Sequence, residues 1–417
     1  MMKITFRRAT LVLSLAATAS CNSLLAVDNP GRVTADALSD PALAPILEAA
    51  ALQSAQCAFM QFAATTGMLS GEYLSSNGFV DNHIWEWRGI VEIKQAPGGC
   101  PGSRATTSMG FYTPAQQARF QLEDLNARLK TFTDVQVPNR QRIIAETEAY
   151  SGYMYVLLAE SMCEMAIDGG PSITSAAVFA IAERRFSDAI VTATAINDAS
   201  LLNMARVGRA RTRLNLGNLA GAAADAALVP SGYTRIAEFS EVDVRRENRF
   251  YNLTVRANYL SVGPDYRGLT VNGVADPRVR VTNLNRVGLD NVTPMWQQQK
   301  FSGSGAAPLT IASYAEAQLI LAEASTGQAA IDAINRVRAL SSIAPLAMPA
   351  AGTDLVAIVI EERRRQLFSE GQRFGDMLRK KIAFPSSGVN RKGQAYSIMT
   401  CVPLPDVETR NNVNFKS

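Results

Sequence analysis

The chain has 417 residues, 47% hydrophobic and 19% charged, a composition typical of a globular protein with a large core. Its formal net charge is +4, but residues 1–20 contain Lys3, Arg7 and Arg8 and no acidic residue. The remainder carries 38 basic and 37 acidic residues. A chain this close to neutral lacks the concentrated basic face that nucleic-acid binding requires, so we expect no nucleic-acid partner.

The N-terminus has the pattern of a targeting segment. A basic start precedes an apolar run that is too short to span a bilayer. The following Ala19-Ser20-Cys21 resembles a bacterial lipobox, in which the cysteine is lipidated, although Thr18 stands where an aliphatic residue is usual. We predict a signal peptide over 1–20, lipid attachment at Cys21 and a tether over 21–40. The alternative is a plain secretory signal.

Four cysteines remain, Cys57, Cys100, Cys163 and Cys401, and they allow three disulfide pairings in an exported protein. Cys57 and Cys100 are nearest in sequence, and Cys100 lies in a Gly/Pro-rich loop, which favours that pair. The CxxC and CxxH spacings of zinc sites are absent from the sequence, so we expect no metal and no other cofactor.

Helical periodicity dominates most of the chain. Asp40-Pro41 supplies a cap and a first-turn proline for a helix that runs to about Thr66, and Thr113-Pro114 opens another. From 139 to 230 a helix–turn–helix pattern repeats. Its predicted helices are Arg140–Met165, Ser175–Thr194, Ala199–Leu216 and Leu219–Leu228.

Part of this pattern resembles a tetratricopeptide repeat. Residues 205–230 have small residues where one helix would approach its neighbour, and 311–340 repeats the unit with Gly327 in the turn. Weaker copies lie at 139–195 and 355–380. Such units must stack to bury their apolar faces, so the sequence predicts a mostly α fold of stacked helix pairs, an α–α superhelix. We expect the basic run 206–213 to form a solvated face.

Two stretches, 67–112 and 231–310, interrupt the helical period with frequent Gly, Pro, Asn and Asp. We interpret them as irregular insertions in a single domain that covers 41–417. Binding surfaces tend to lie in such loop-rich regions.

The aromatic residues of these insertions are the candidate ligand contacts, because apolar sugar faces stack on flat rings. In an extended segment Trp85 and Trp87 would face the same side. The candidate ligand-binding residues are Tyr73, His83, Trp85, Trp87, Tyr251, Tyr259 and Tyr266. We expect Trp296 to be a core residue instead.

The sequence offers no catalytic constellation. His83 is the only histidine, and the sequence contains neither GxSxG nor a phosphate-binding GxxxxGK[ST]. Glu361 and Glu362 are adjacent on a predicted helix and would point about 100° apart, so we interpret them as salt-bridged structural residues. We therefore expect no enzymatic activity.

The segment 357–379, AIVIEERRRQLFSEGQRFGDMLR, is an amphipathic helix broken at one glycine, in which Arg373 and Asp376 have the spacing of a pair. It resembles the C-terminal signature of the SusD/RagB family. The segments YAEA at 314–317, AEA at 322–324 and INRVR at 334–338 support this resemblance by their order and spacing, whereas 67–112 cannot be aligned.

The resemblance implies a lipid-anchored protein on the outer surface of the outer membrane. Such proteins bind an oligomeric nutrient, here an oligosaccharide or a peptide, and deliver it to a TonB-dependent, SusC-like transporter. We expect a glycan ligand. The alternatives are a peptide ligand, as on the RagB side of the family, a secreted hydrolase, and a helical scaffold that binds only proteins.

Lipidation at Cys21 can be tested by metabolic labelling with a fatty acid. The wild type and a Ser23→Ala control should be labelled, and Cys21→Ser should not be. The Cys21→Ser variant should also leave the membrane fraction, because the anchor would be lost. Equal labelling of the wild type and Cys21→Ser would contradict the prediction.

Overall fold

A computed structural model describes residues 37–100, 108–384 and 387–415. The predicted signal peptide, Cys21 and most of the predicted tether lie outside the described residues. The chain divides after Leu43 into two units. In the first, two short 3₁₀ turns cover Ala37–Ser39 and Pro41–Leu43. Asp40 caps the second turn by accepting a hydrogen bond from the Ala42 amide, at 2.9 Å.

The second unit, from Ala44 onwards, is mostly helical. Its helices are α1 (Ala44–Leu69), α2 (Val80–Trp87), α3 (Ile90–Lys94), α4 (Tyr112–Thr131), α5 (Arg140–Ala159), α6 (Ser175–Ala195), α7 (Ala199–Asn215), α8 (Leu219–Ala227), α9 (Arg249–Tyr251, followed by a π-helical turn over Asn252–Arg256), α10 (Tyr314–Glu323), α11 (Gly327–Leu340), α12 (Leu355–Gln366), α13 (Arg373–Lys380) and α14 (Asp406–Asn411). Further 3₁₀ turns cover Val244–Arg246 and Pro264–Tyr266. Among these helices, none is both long and apolar enough to cross a bilayer.

Short strands form four two-stranded antiparallel sheets in the described part of the chain. The strands are β1 (Tyr73–Ser75), β2 (Thr234–Ala237), β3 (Leu260–Val262), β4 (Thr270–Val271), β5 (Val274–Ala275), β6 (Val281–Val287), β7 (Pro294–Gln298) and β8 (Leu309–Ser313). The pairs are β1–β3, β2–β8, β4–β5 and β6–β7.

The predicted mostly α fold of stacked helix pairs is confirmed. Helices α4 to α8 pack in chain order, and α10 packs on α8, α11 and α12. Glycine allows the close approach that the repeat pattern predicts: a Cβ on Gly208 of α7 would lie 2.3 Å from the Phe186 ring of α6. Helices α6, α7 and α8 start at the predicted residues, where Thr174, Asp198 and Asn218 cap them.

Helix α5 ends six residues before the predicted Met165. The chain there leaves the helix, because Met162 pairs with Val402 and Met165 pairs with Ile173 in isolated bridges. Cys163 forms a disulfide with Cys401 at this point, and the predicted disulfide between Cys57 and Cys100 is also present.

The prediction of a solvated basic face on α7 is wrong. Arg209 binds Asp225 of α8 through two hydrogen bonds of 2.8 and 2.7 Å. Arg213 binds Glu183 of α6 at 2.7 Å, and the buried Arg211 binds Glu160 after α5. The arginine run therefore ties three neighbouring helical segments together, because each of them presents a carboxylate to α7.

The two predicted insertions form one body. Strand β1 from the first pairs with β3 from the second, with Tyr73 opposite Val262. The Ser261 hydroxyl then links β3 to β7, donating to the Pro294 carbonyl at 2.7 Å and accepting from the Trp296 amide at 2.9 Å. The first insertion is more regular than predicted, since α2 and α3 lie within it. Trp85 and Trp87 are therefore helical, so the shared side that an extended segment would give them does not apply.

The signature segment forms α12 and α13, with a break at Gly371, whose φ is +79°. Asp376 of α13 does not pair with Arg373 as predicted. It binds Arg363 of α12 at 2.8 Å and Arg379 at 2.9 Å, because the turn at Gly371 brings the two helices together. Burial would raise the pKa of Asp376, but the charges of Arg363 and Arg379, with one hydrogen bond from each, hold it at about 2.

Glu361 and Glu362 are structural, as interpreted from the sequence. Glu361 binds Arg364 and Arg365 on its own helix, each at 2.7 Å. Glu362 is buried and binds Arg338 of α11 at 2.9 Å and Arg278 of the second insertion at 2.5 Å. Arg278 and Arg365 both bind the buried Asp276.

The Asp376 pairs can be tested by Asp376→Asn, compared with Arg373→Ala. Removing one partner of a buried pair leaves uncompensated charge, so Asp376→Asn should lower the free energy of unfolding by about 3–5 kcal/mol. Arg373→Ala breaks no ion pair of 4 Å or less among the described residues and should cost clearly less. Chemical denaturation measures both changes, and equal losses would contradict this assignment.

Glu72, which precedes β1, is a buried carboxyl group close to the turn between α12 and α13. It is 1% exposed, and its Oε1 accepts a hydrogen bond from the Ser369 amide at 3.1 Å. Burial raises the pKa of Glu72 from 4.5 to about 7, although the Ser369 amide and the charges of Arg373 and Lys300 oppose the rise. The folded protein therefore retains a proton here that the unfolded chain releases.

This difference predicts a pH dependence of stability. The folded pKa lies above the unfolded one, so the contribution of Glu72 is complete below pH 4.5 and is lost as the pH rises through about 7. When the pH is raised from 5 to 8, the free energy of unfolding should fall further in the wild type than in Glu72→Gln. The extra fall should be on the order of 2 kcal/mol. Denaturation at both pH values measures this, with the exposed Glu238→Gln as control. If Glu72→Gln lost as much unfolding free energy between pH 5 and pH 8 as the wild type does, the assignment would be overturned.

Candidate functional site

The two insertions meet at a surface that we call the Asn77 corner, defined by Asn77, Phe79, His83, Tyr259 and Lys392. Asn77 follows β1 and is fully buried. Its side-chain amide donates to the Tyr259 carbonyl at 2.9 Å, and its Oδ1 accepts from the Phe79 amide at 2.7 Å. One side chain therefore fixes both the start of α2 and the residue that precedes β3.

Two aromatic rings reach the surface at this corner. Phe79 is 46% exposed, and Tyr259 is half-buried. Their ring centroids are 5.2 Å apart with the planes at 75°, an edge-to-face contact. Such a pair holds each ring in place and leaves part of its surface available for an apolar ligand face.

The polar side of the corner is formed by His83 and Lys392. The Lys392 ammonium donates to the Asn77 carbonyl at 2.8 Å, forms an ion pair with Asp290 at 2.8 Å and lies 2.8 Å from His83 Nε2. The His83 ring also contacts the Asn77 carbonyl. Burial, followed by the Lys392 charge, lowers the pKa of His83, and the Asn77 carbonyl opposes this. His83 is therefore neutral at pH 7.

The C-terminal loop clamps this corner. Arg391 contacts Glu86 of α2, Thr293 before β7 and the Ser75 carbonyl of β1. Although burial opposes it, hydrogen bonds from Lys392 and Thr293 lower the pKa of Asp290 to about 2. Sequence reasoning missed Asn77, Arg391 and Lys392, because no local pattern reports contacts between residues about 300 positions apart.

Three predicted ligand-binding residues lie in the core, where their rings cannot reach a surface ligand. Tyr73 is fully buried, stacks on Phe368 and contacts the Ser369 hydroxyl at 2.5 Å. Tyr266 is 2% exposed and stacks on the other side of the same cluster, 4.9 Å from Phe368. Trp85 is 2% exposed and lies 6.3 Å from the Phe111 ring. Helical periodicity places Trp85 on the buried face of α2.

The other four predicted residues remain partly accessible. His83 and Tyr259 belong to the Asn77 corner. Trp87 is half-buried at the end of α2, where its carbonyl accepts from the Ser397 amide at 2.9 Å. Tyr251 lies beside Arg256, whose guanidinium carbon is 5.3 Å from the ring centroid. The structure therefore brings two of the seven candidates together.

Trp296, expected in the core, is only half-buried. It lies on β7, and the Arg267 guanidinium is 5.4 Å from its ring centroid. Arg267 also donates two hydrogen bonds to the Val262 carbonyl, at 2.9 and 2.7 Å. This cation over an aromatic ring gives the β6–β7 hairpin a second, smaller accessible aromatic surface.

Comparison with known proteins identifies one family. A sequence model of the SusD family matches residues 137–416, about two thirds of the chain. In a comparison with curated proteins, none matched the chain.

Solved structures share the fold. A SusD superfamily protein from Parabacteroides distasonis ATCC 8503 has a TM-score of 0.65 at 14% identity, covering 88% of this chain and 97% of that one. A SusD-like carbohydrate-binding protein from Bacteroides vulgatus ATCC 8482 has a TM-score of 0.63 at 16% identity, covering 90% and 97%. A laminarin-binding SusD-like protein has a TM-score of 0.61 at 15% identity, covering 88% and 97%. At such identities the likeness shows a common fold.

Proposed function

Since a SusD-family model matches well over half of it, the chain belongs to the SusD family, and from this membership we propose a non-catalytic binding protein that captures an oligomeric glycan. Two structural neighbours are described as carbohydrate-binding and laminarin-binding proteins. They support a sugar as the ligand class for this chain.

The observation that carries the proposal is the Phe79–Tyr259 pair at the Asn77 corner. A sugar presents an apolar face of C–H groups, which stacks on an aromatic ring, and hydroxyls, which need hydrogen-bond partners. The exposed ring of Phe79 offers the first contact. The neutral His83, whose side-chain hydrogen-bond contacts with the described residues are all at Nε2, and the Tyr259 hydroxyl offer the second.

Rigidity favours binding at this corner. Hydrogen bonds from Asn77 and Lys392 and the contacts of Arg391 fix its residues, so binding requires little ordering of the protein. The corner also joins three chain segments that are far apart in sequence, so it is a product of the folded state.

We further propose that the protein is held at the outer surface of the outer membrane through a lipid on Cys21. From there it would pass the glycan to a TonB-dependent, SusC-like transporter. The lipobox-like sequence and the family membership support this part of the proposal.

Ligand screening by calorimetry tests the proposal, with laminarin and a panel of oligosaccharides compared with peptides of similar length. We expect an oligosaccharide to bind. Phe79→Ala should weaken that binding about tenfold, equivalent to about 1.4 kcal/mol, because the stacking surface is lost. The melting temperature should change little, since 46% of Phe79 is exposed.

Phe120→Ala on α4 is the matched control, because Phe120 is 57% exposed and lies outside the corner. It should bind like wild type. Binding of peptides alone would favour the RagB-like alternative. If a glycan binds and Phe79→Ala does not weaken that binding, the proposed ligand class stands but the binding site lies outside the Asn77 corner. Trp87 and Trp296 are then the next aromatic residues to test.

A further inference from the structure

A groove of about 800 Å³, which shares no lining residue with the Asn77 corner, lies between the end of α5, the first turns of α6 and helix α13. Its apolar lining residues are Met162, Phe179, Met377, Leu378, Ile382 and Phe384. The first three are buried, and the last three are half-buried. The volume falls in the range of about 300–1,000 Å³ that small-molecule sites have.

The wall of the groove is preformed. Cys163 and Cys401 line it and are joined by a disulfide. Beside them, the Val402 amide donates to the Ser161 carbonyl at 2.8 Å, and the Cys163 amide donates to the Val402 carbonyl at 2.9 Å. The covalent bond and this short ladder hold the C-terminal segment against the end of α5, so this side of the groove is fixed by bonds within the protein.

The charges around the groove have a positive excess. Glu160 is neutralised by Arg211 and also accepts from the Asn215 side chain at 3.0 Å. Arg379 is neutralised by Glu323 and Asp376. Lys381, at the end of α13, is exposed, and no carboxylate of the described residues lies within 4 Å of its ammonium group.

From this combination we propose that the groove binds a long-chain alkyl carboxylate. The alkyl chain lies on the apolar lining, where each methylene group is removed from water, and the carboxylate lies at the rim beside Lys381. The site is separate from the proposed glycan site, and neither proposal depends on the other.

Calorimetry with decanoate tests the inference on the full chain. Decyltrimethylammonium has the same chain length and the opposite charge, so it should bind at least about fivefold more weakly. Octanoate lacks two methylene groups and should bind up to about fifteenfold more weakly than decanoate. No binding of decanoate, or equal binding of the anionic and cationic probes, would overturn the proposal.

Two variants locate the site. Lys381→Glu should weaken decanoate binding about fivefold, whereas Arg280→Glu, the same charge reversal at an exposed arginine outside the groove, should not. Ala383→Trp places a large side chain at the exposed rim and should weaken the binding of every probe. Melting temperatures check that both variants fold. Unchanged binding in both Lys381→Glu and Ala383→Trp would place the ligand elsewhere and overturn the assignment.

Discussion

The structure depends on the charged residues of α12, which connect parts of the protein that share no sequence neighbourhood. Glu362 joins α12 to α11 through Arg338 and to the second insertion through Arg278. Arg363 joins it to α13 through Asp376. Helix α12 is therefore the point at which the helical array and the insertion are held in one geometry.

Buried ion pairs of this kind are weak sources of net stability, because each charge loses its hydration on burial. Their geometry is nevertheless demanding, since a misplaced partner leaves an uncompensated charge in the interior. The pairs around α12 therefore disfavour other arrangements of the insertion against the helices. The Asn77 corner benefits from this, because its Tyr259 and the Asp290 that pairs with its Lys392 come from the second insertion, and its Asn77 follows the strand that pairs with that insertion.

Much of the helical array could be predicted from the sequence. The starts of α6, α7 and α8, the small residues of α7 and the break at Gly371 are local signals, and the structure agrees with each of them. Two predictions that failed concerned ion-pair partners. The arginines of α7 were expected in solvent and bind carboxylates on neighbouring helices, and Asp376 was expected to pair with Arg373 and binds Arg363. Spacing along one helix reports which residues share a face, but it does not report which face another helix covers.

The sequence by itself determined the helix pairs, the presence of two aromatic-rich insertions and the resemblance to a family. Helical periodicity, capping and motif order depend on residues that are close together in the sequence, so they can be recognised without the tertiary structure. Only the tertiary structure decided which aromatic residues are accessible. Tyr73, Trp85 and Tyr266 lie in the core, whereas Phe79 and Tyr259 meet at the surface beside His83 and Lys392, which are 309 positions apart in the chain. The physical reason is that burial depends on the elements that pack over a residue, and the pairing of β1 with β3 brings those elements from distant parts of the sequence.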